Sequence, residues 1–244
     1  MSAGQSNVTV VGASSNVYAD AWWGSARISE ICNETQLAFV ANDAPNEDRL
    51  MAAVIHTAPD WLLSIQHPWI LGPEILELVH GRAVNLHTAP LPAYGGFNGI
   101  SHAILNGATQ YGVTLHWMTD VVDAGPQILR REFRINGRVT ARTLHRLTVE
   151  VGTAVAMELI DSEEFWRRSP VAAEAVEETR VYSRRELGRH RLIESLEDVE
   201  EVKRKSLAFF FPPFEPAYAV VGGMKFYILP DTDDVKSWIS SGRQ

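Results

Sequence analysis

The sequence predicts an α/β protein with a mostly parallel sheet and helices on both faces, followed by a small C-terminal α+β unit containing a β-hairpin. Three observations lead there. Short apolar runs alternate with amphipathic stretches up to His87, a long helical repeat follows from Leu144, and Gly222-Gly223 separates two strand-like runs near the end.

Val8-Thr9-Val10-Val11 reads as a buried strand entering a turn at Gly12-Ala13-Ser14-Ser15, with Ala19 to Ile31 as the next helix. Leu37 to Val40, Trp61 to Ile65 and Ala83 to Leu86 follow as strands, and Glu47 to His56 and Pro73 to Val79 as helices. The alternation is Rossmann-like. A single Gly12 is nevertheless not the three-glycine fingerprint that admits a pyrophosphate, so nicotinamide chemistry is not expected.

Ile100 to Asn106 forms a short helix closed by Gly107, and Tyr111 to Trp117 and Ile128 to Ile135 read as strands. Leu144, Leu147, Val151, Val155 and Leu159 recur every three or four residues, which gives a helix with one buried face, capped by Thr140. Ser169-Pro170 is expected to break it. Residues 1–178 then form the main domain and 179–244 a smaller unit for nucleotide binding, dimerisation or both. In that unit Tyr218 to Val221 and Lys225 to Leu229 flank the Gly-Gly turn.

The chain has 244 residues, 45% hydrophobic and 21% charged, which suits one good-sized domain with a small appendage. A formal net charge of -8 argues against a nucleic-acid partner, because backbone binding needs a basic surface to displace counterions. Cys32 is the single cysteine, so no intramolecular disulfide and no cysteine-held zinc is expected. Met1 to Asn7 lacks the basic and apolar regions of a signal peptide, and no apolar run is long enough to cross a bilayer. The expectation is a cytoplasmic protein with no membrane partner.

Asn85 and His87 lie two residues apart at the end of an expected strand, so an extended backbone turns both to one side, where ligands of open α/β sheets gather. Pro90-Leu91-Pro92 stiffens the exit, and Tyr94-Gly95-Gly96-Phe97-Asn98-Gly99 lets backbone approach a ligand closely. Asp123 completes an amide, an imidazole and a carboxylate suited to acyl transfer. Taken singly, each has an ordinary structural explanation as a turn or core residue. His56, His67, His80, His102, His116, His145 and His190 show no metal-ligand spacing and are read as structural, so no metal is expected.

The ordered set Asn85-Leu86-His87, Pro90-Leu91-Pro92, Ile104-Leu105-Asn106-Gly107, Gly112-Val113-Thr114 and Asp123-Ala124-Gly125 resembles the folate-dependent formyltransferases. That family includes the glycinamide ribonucleotide, methionyl-tRNA and sugar-nucleotide enzymes. One departure is Ala89-Pro90-Leu91-Pro92, where many relatives carry Ser-Leu-Leu-Pro. The resemblance implies N10-formyltetrahydrofolate as formyl donor, with Asn85, His87 and Asp123 as the catalytic residues. It also implies a folate pocket between Gln66, Pro68, Trp69 and Ile70 on one side and Met118, Asp120, Val121 and Val122 on the other.

For the acceptor, Phe210-Phe211-Pro212-Pro213-Phe214-Glu215-Pro216-Ala217-Tyr218 resembles the C-terminal segment of enzymes acting on nucleotide-linked 4-amino-4,6-dideoxy sugars. A dTDP-sugar is the expected substrate, met by Tyr94, Gly95, Gly96, Asn98, Tyr182, Arg184, Phe211, Pro213 and Tyr218. Arg185, Lys203, Arg204 and Lys205 are further candidates for its diphosphate. A homodimer is expected, since aromatic residues are enriched in interface cores. The alternatives are another small amine, such as glycinamide ribonucleotide, or a silent folate or sugar-nucleotide binder.

Overall fold

Thr9–Gly12 (β1) and Ala38–Ala41 (β2) pair in parallel, with Val10 beside Phe39 and Val11 beside Val40. The computed structural model describes residues 8–12, 28–41, 48–67, 69–167 and 179–242. Two units separate, Met1–Ala83 and Val84–Gln244. The expected helix from Ala19 lies outside the described residues until Ile28, where Ile28–Thr35 (α1) begins. A parallel pair needs a crossover, and α1 supplies it, with Cys32 buried and its carbonyl accepting the Leu37 N–H at 2.9 Å.

In the same unit Asp48–Thr57 (α2) buries Leu50, Ala53 and Val54, the i, i+3, i+4 stripe of an amphipathic helix. Leu62–Ile65 (β3) follows. Pro73–Leu78 (α3) starts on a proline, whose missing N–H costs nothing in the first helical turn.

The second unit is built on Ala83–His87 (β4), Gln110–Trp117 (β6) and Gln127–Arg134 (β7), which run antiparallel in the order β4, β6, β7. Parallel pairing therefore holds for β1 and β2, while β6 and β7 add an antiparallel part to the α/β fold. The physical reason is the short link from Met118 to Pro126, too short for the crossover that a parallel neighbour requires. Between β4 and β6 lie Gly95–Gly96 (β5) and Gly99–Leu105 (α4).

Ala141–Ile160 (α5) starts as expected, with Thr140 accepting the Thr143 N–H at 3.0 Å. Its Gly152 comes to rest over Leu86 and Val113, where an added Cβ would meet their side chains at 3.6 and 3.8 Å. The helix ends well before Ser169-Pro170. Ser162 caps a separate turn, Glu163–Trp166 (α6), by accepting the Phe165 N–H, and Phe165 stacks on Trp117 at 5.7 Å. The apolar stripe had already stopped at Leu159, so nothing remained to hold a longer helix against the sheet.

Residues 179–242 supply Val181–Tyr182 (β8), a 3₁₀ turn at Leu187–His190, Val199–Ala208 (α7), Ala217–Val221 (β9), Met224–Ile228 (β10) and Asp233–Ser240 (α8). β9 and β10 form the expected hairpin, with both turn glycines at positive φ. Leu187, Ile193, Leu207, Phe209 and Ala217 enter one core cluster with Ala103, Tyr111 and Leu144. Among the described residues no helix is long and apolar enough to cross a membrane.

Candidate active site

β4 and β6 are in a register that sets Asn85 opposite His116 and His87 opposite Thr114. Thr114, fully buried, donates to the Ala89 carbonyl at 2.9 Å and accepts the Leu91 N–H at 3.0 Å. Tyr111 adds a bond to the Thr88 carbonyl at 3.0 Å, and Arg130 one to the Leu91 carbonyl at 2.9 Å. The proline-rich exit from β4 is thus stitched along β6 and β7, which holds the end of β4 in place.

His87 turns its Nε2 to the Tyr94 carbonyl, 2.8 Å away. A carbonyl only accepts, so Nε2 carries the hydrogen and Nδ1 faces Asp123 Oδ2 at 3.6 Å. Asp123 sits at positive φ in the turn after β6 and accepts the Gly96 N–H at 2.7 Å. Its other oxygen lies 3.5 Å from His116 Nε2. His116 is 2% exposed, and its Nδ1–H donates to the Trp117 carbonyl at 2.8 Å. That bond leaves Nε2 as the lone-pair nitrogen of the neutral ring, and Asn85 Nδ2 meets it at 3.1 Å. One Asn85 amide hydrogen is used there, which leaves a second on the same nitrogen.

Burial pulls the His87 pKa below 6.5, opposed by the Asp123 charge and the Tyr94 carbonyl. Burial also raises the Asp123 carboxyl. The adjoining His116 and His87 rings and the Gly96 N–H outweigh it and hold the group below 3.8. At neutral pH the arrangement is therefore an ionised carboxylate beside a neutral imidazole.

Two glycines are forced by close approach. At Gly125 a Cβ would lie 1.9 Å from the Trp117 carbonyl oxygen, because the turn carrying Asp123 folds back onto the end of β6. Gly96 has a φ of +78°, and a Cβ there would stand 2.5 Å from the Tyr182 carbonyl oxygen, where β5 pairs with β8.

Sequence reasoning missed His116 as a partner of the trio. The signal was present only as a pairing: an antiparallel β4–β6 register puts its ring beside Asn85. Of the residues expected around the acceptor, Tyr94, Gly95, Gly96 and Asn98 lie on the loop that holds His87 and Asp123. Tyr182 is buried, its ring stacked between Tyr94 at 6.2 Å and His102 at 3.9 Å, and Arg184 covers the Phe97 ring at 4.2 Å. Phe211 packs edge-on to His145, Pro213 is exposed, and Tyr218 lies under the Lys225 ammonium at 3.9 Å.

Among the expected folate residues, Gln66 is exposed at positive φ, Trp69 is half-buried and Ile70 exposed in the first unit. Pro68 lies outside the described residues. In the second unit Met118 and Val122 are half-buried and Asp120 and Val121 exposed, on the turn that ends in Asp123. Lys205 is tied to Glu201 and the Leu192 carbonyl, and Lys203 and Arg204 both lie within 4.0 Å of Glu200.

A protein-family model described as formyl transferase matches residues 3–160. GDP-perosamine N-formyltransferase of Brucella melitensis is 30% identical over 184 residues, covering 73% of this chain and 67% of its own. Methionyl-tRNA formyltransferase of Halothermothrix orenii is 30% identical over 125 residues, 51% of this chain and 40% of its own. The crystal structure of a 4-N formyltransferase from Francisella tularensis superposes with a TM-score of 0.68 at 15% identity, over 84% of this chain and 81% of that one. The family match runs over more than half of the sequence and takes in Asn85, His87, His116 and Asp123, and on that ground the chain belongs to the formyl transferase family.

Proposed function

We propose that the protein transfers the formyl group of N10-formyltetrahydrofolate to the amine of a nucleotide-linked 4-amino-4,6-dideoxy sugar. The observation that carries the chemistry is the convergence of Asn85, His87 and Asp123, joined by His116, at the ends of β4 and β6. The donor supplies a formyl carbon open to attack by an amine. Asn85 presents an Nδ2 hydrogen to the oxygen that gains charge, in the manner of an oxyanion-hole donor. His87, neutral and oriented by the Tyr94 carbonyl, offers Nδ1 for the proton the attacking amine must lose. Asp123 stabilises the imidazolium that results, and that proton passes to N10 of the folate as the formyl carbon–N10 bond breaks, releasing tetrahydrofolate.

The sugar acceptor is supported by the likeness to GDP-perosamine N-formyltransferase, 30% identical over 73% of this chain. The net charge of -8 works against a tRNA substrate. The dTDP carrier and a homodimer remain part of the proposal. The dimer is favoured by the apolar exposure of Val220, Val221, Met224 and Phe226 on the hairpin.

Incubation with the formyl donor and a panel of dTDP- and GDP-linked amino sugars, glycinamide ribonucleotide and methionyl-tRNA, read by mass, tests the proposal. A gain of one formyl group on an amino-sugar nucleotide is expected. Formylation confined to glycinamide ribonucleotide or tRNA would remove the sugar assignment, and folate binding without formylation of any amine would remove the enzyme assignment.

A further inference from the structure

A cavity of about 400 Å³ opens between α4, the 3₁₀ turn and α7, and none of Asn85, His87, His116 or Asp123 lines it. Its wall includes His102, Arg180, Tyr182, Glu186, His190 and Arg204. His102 is 4% exposed, and its Nε2 is buried without a hydrogen-bond partner among the described residues. A buried polar nitrogen left this way costs roughly 1–3 kcal/mol, which a ligand in the cavity would recover.

The wall carries Arg180, Arg204 and Lys205 against Glu186, Asp198, Glu200 and Glu201, and Arg180 is its cation with no described acidic partner. Arg180 meets the face of Tyr182 at 4.6 Å, and no described carboxylate pairs with it. Arg204 is held only loosely, its Nε 3.8 Å from Glu200, and half of its side chain is exposed. Two of the four acids are committed, and Glu200 is held as loosely as Arg204. Glu201 accepts from Lys205 and from the N–H groups of Glu194 and Ser195, and Asp198 caps α7 through the N–H groups of Glu200 and Glu201. Glu186 receives one long bond from the Ser183 N–H at 3.5 Å. The segment from Arg180 to Arg191 carries five arginines and one glutamate in a chain of net charge -8.

We propose that this cavity is a binding site for a phosphate-sized oxyanion, gripped by the guanidinium groups of Arg180 and Arg204 with N–H donation from His102 and His190. Guanidinium groups suit such oxygens because their planar forks donate two hydrogens at once. Burial keeps His102 below 6.5, against Glu186, which raises it, and with His190 and Arg180, which lower it further. The neutral ring has one N–H to give. Glu186 and Glu200 disfavour a highly charged guest, so a single phosphate or phosphate monoester fits better than a polyphosphate. Tyr182 separates the site by one ring from Tyr94, whose carbonyl holds His87.

Calorimetric titration of the full chain with inorganic phosphate at low ionic strength, in chloride buffer, reads the site directly. Saturable binding of one phosphate per chain is expected, weakened about tenfold or more in Arg180→Gln and in His102→Phe, which keeps a ring on Tyr182. Lys236→Gln, on α8, is expected to bind as the parent does. The C2 proton of His102 should shift on phosphate addition in the parent and in Lys236→Gln, a readout that does not depend on either cavity variant folding. Absence of saturable binding, an unmoved His102 resonance, or equal binding by a folded Arg180→Gln would each overturn the site.

Discussion

Nε2 of His116 stands 3.1 Å from Nδ2 of Asn85. Its Nδ1–H is given to the Trp117 carbonyl, so an unprotonated Nε2 accepts from the amide and thereby fixes which side of Asn85 presents nitrogen. An asparagine free to flip would also present its carbonyl oxygen to a developing oxyanion. His116→Ala is accordingly expected to lower kcat about tenfold or more with KM for the amine nearly unchanged, and His116→Gln to recover part of it. Steady-state kinetics checks the split, and a matching loss in KM alone would assign His116 to packing.

Asp123 raises the His87 pKa while burial lowers it, and burial is the larger effect. Asp123→Asn removes the raising charge, so His87 should titrate lower still and the imidazolium formed during turnover should be less stable. We expect a drop in kcat and a downward shift of the His87 resonance pKa in NMR titration. A resonance that titrates at the parent's pH would show that the carboxylate at 3.6 Å does not act on the ring.

His145, on α5 and edge-on to Phe211, has its pKa lowered from 6.5 to about 4 by burial. The unfolded chain binds this proton more readily than the folded one. Stability is therefore full above pH 6.5 and falls as pH drops from 6.5 toward 4, by up to about 3 kcal/mol at roughly 1.4 kcal/mol per unit. Urea midpoints across that range should fall less in His145→Leu than in the parent. Parallel curves would mean that His145 does not report the linkage.

Asp234 accepts from Thr140 at 2.5 Å, Thr143 at 2.9 Å and Arg142, so the first turn of α8 is clasped to the first turn of α5. Asp234→Ala leaves these donors without their acceptor and is expected to cost roughly 1–3 kcal/mol. Because α8 carries none of the residues assigned to catalysis, kcat should hold. Chemical denaturation and turnover at 25 °C measure the two together, and loss of kcat without loss of stability would contradict the assignment.

The strand-helix alternation of the first unit, the Thr140 cap and the Gly222-Gly223 hairpin could all be read locally, because period and capping chemistry are properties of neighbouring residues. So could Asn85, His87 and Asp123, which form an ordered motif. The tail helix was legible too, in Thr232 ahead of Asp233 and Asp234 and in the spacing of Val235, Trp238 and Ile239, although it was not expected. The end of α5 is marked by Ser162, a local cap signal less conspicuous than the proline at 170.

By itself the sequence determined the α/β class, the strand that carries Asn85 and His87, and the residue types of the candidate site. These depend on side-chain period and on residues close together in the chain. Tertiary structure alone decided that His116 lies beside Asn85 and Asp123, that Tyr182 is buried against the rings of Tyr94 and His102, and that His102 is sealed against a cavity. Each of those outcomes depends on the register of one segment against another distant in sequence. A shift by one residue in β4 against β6 would turn His116 to the opposite face and leave every local signal unchanged.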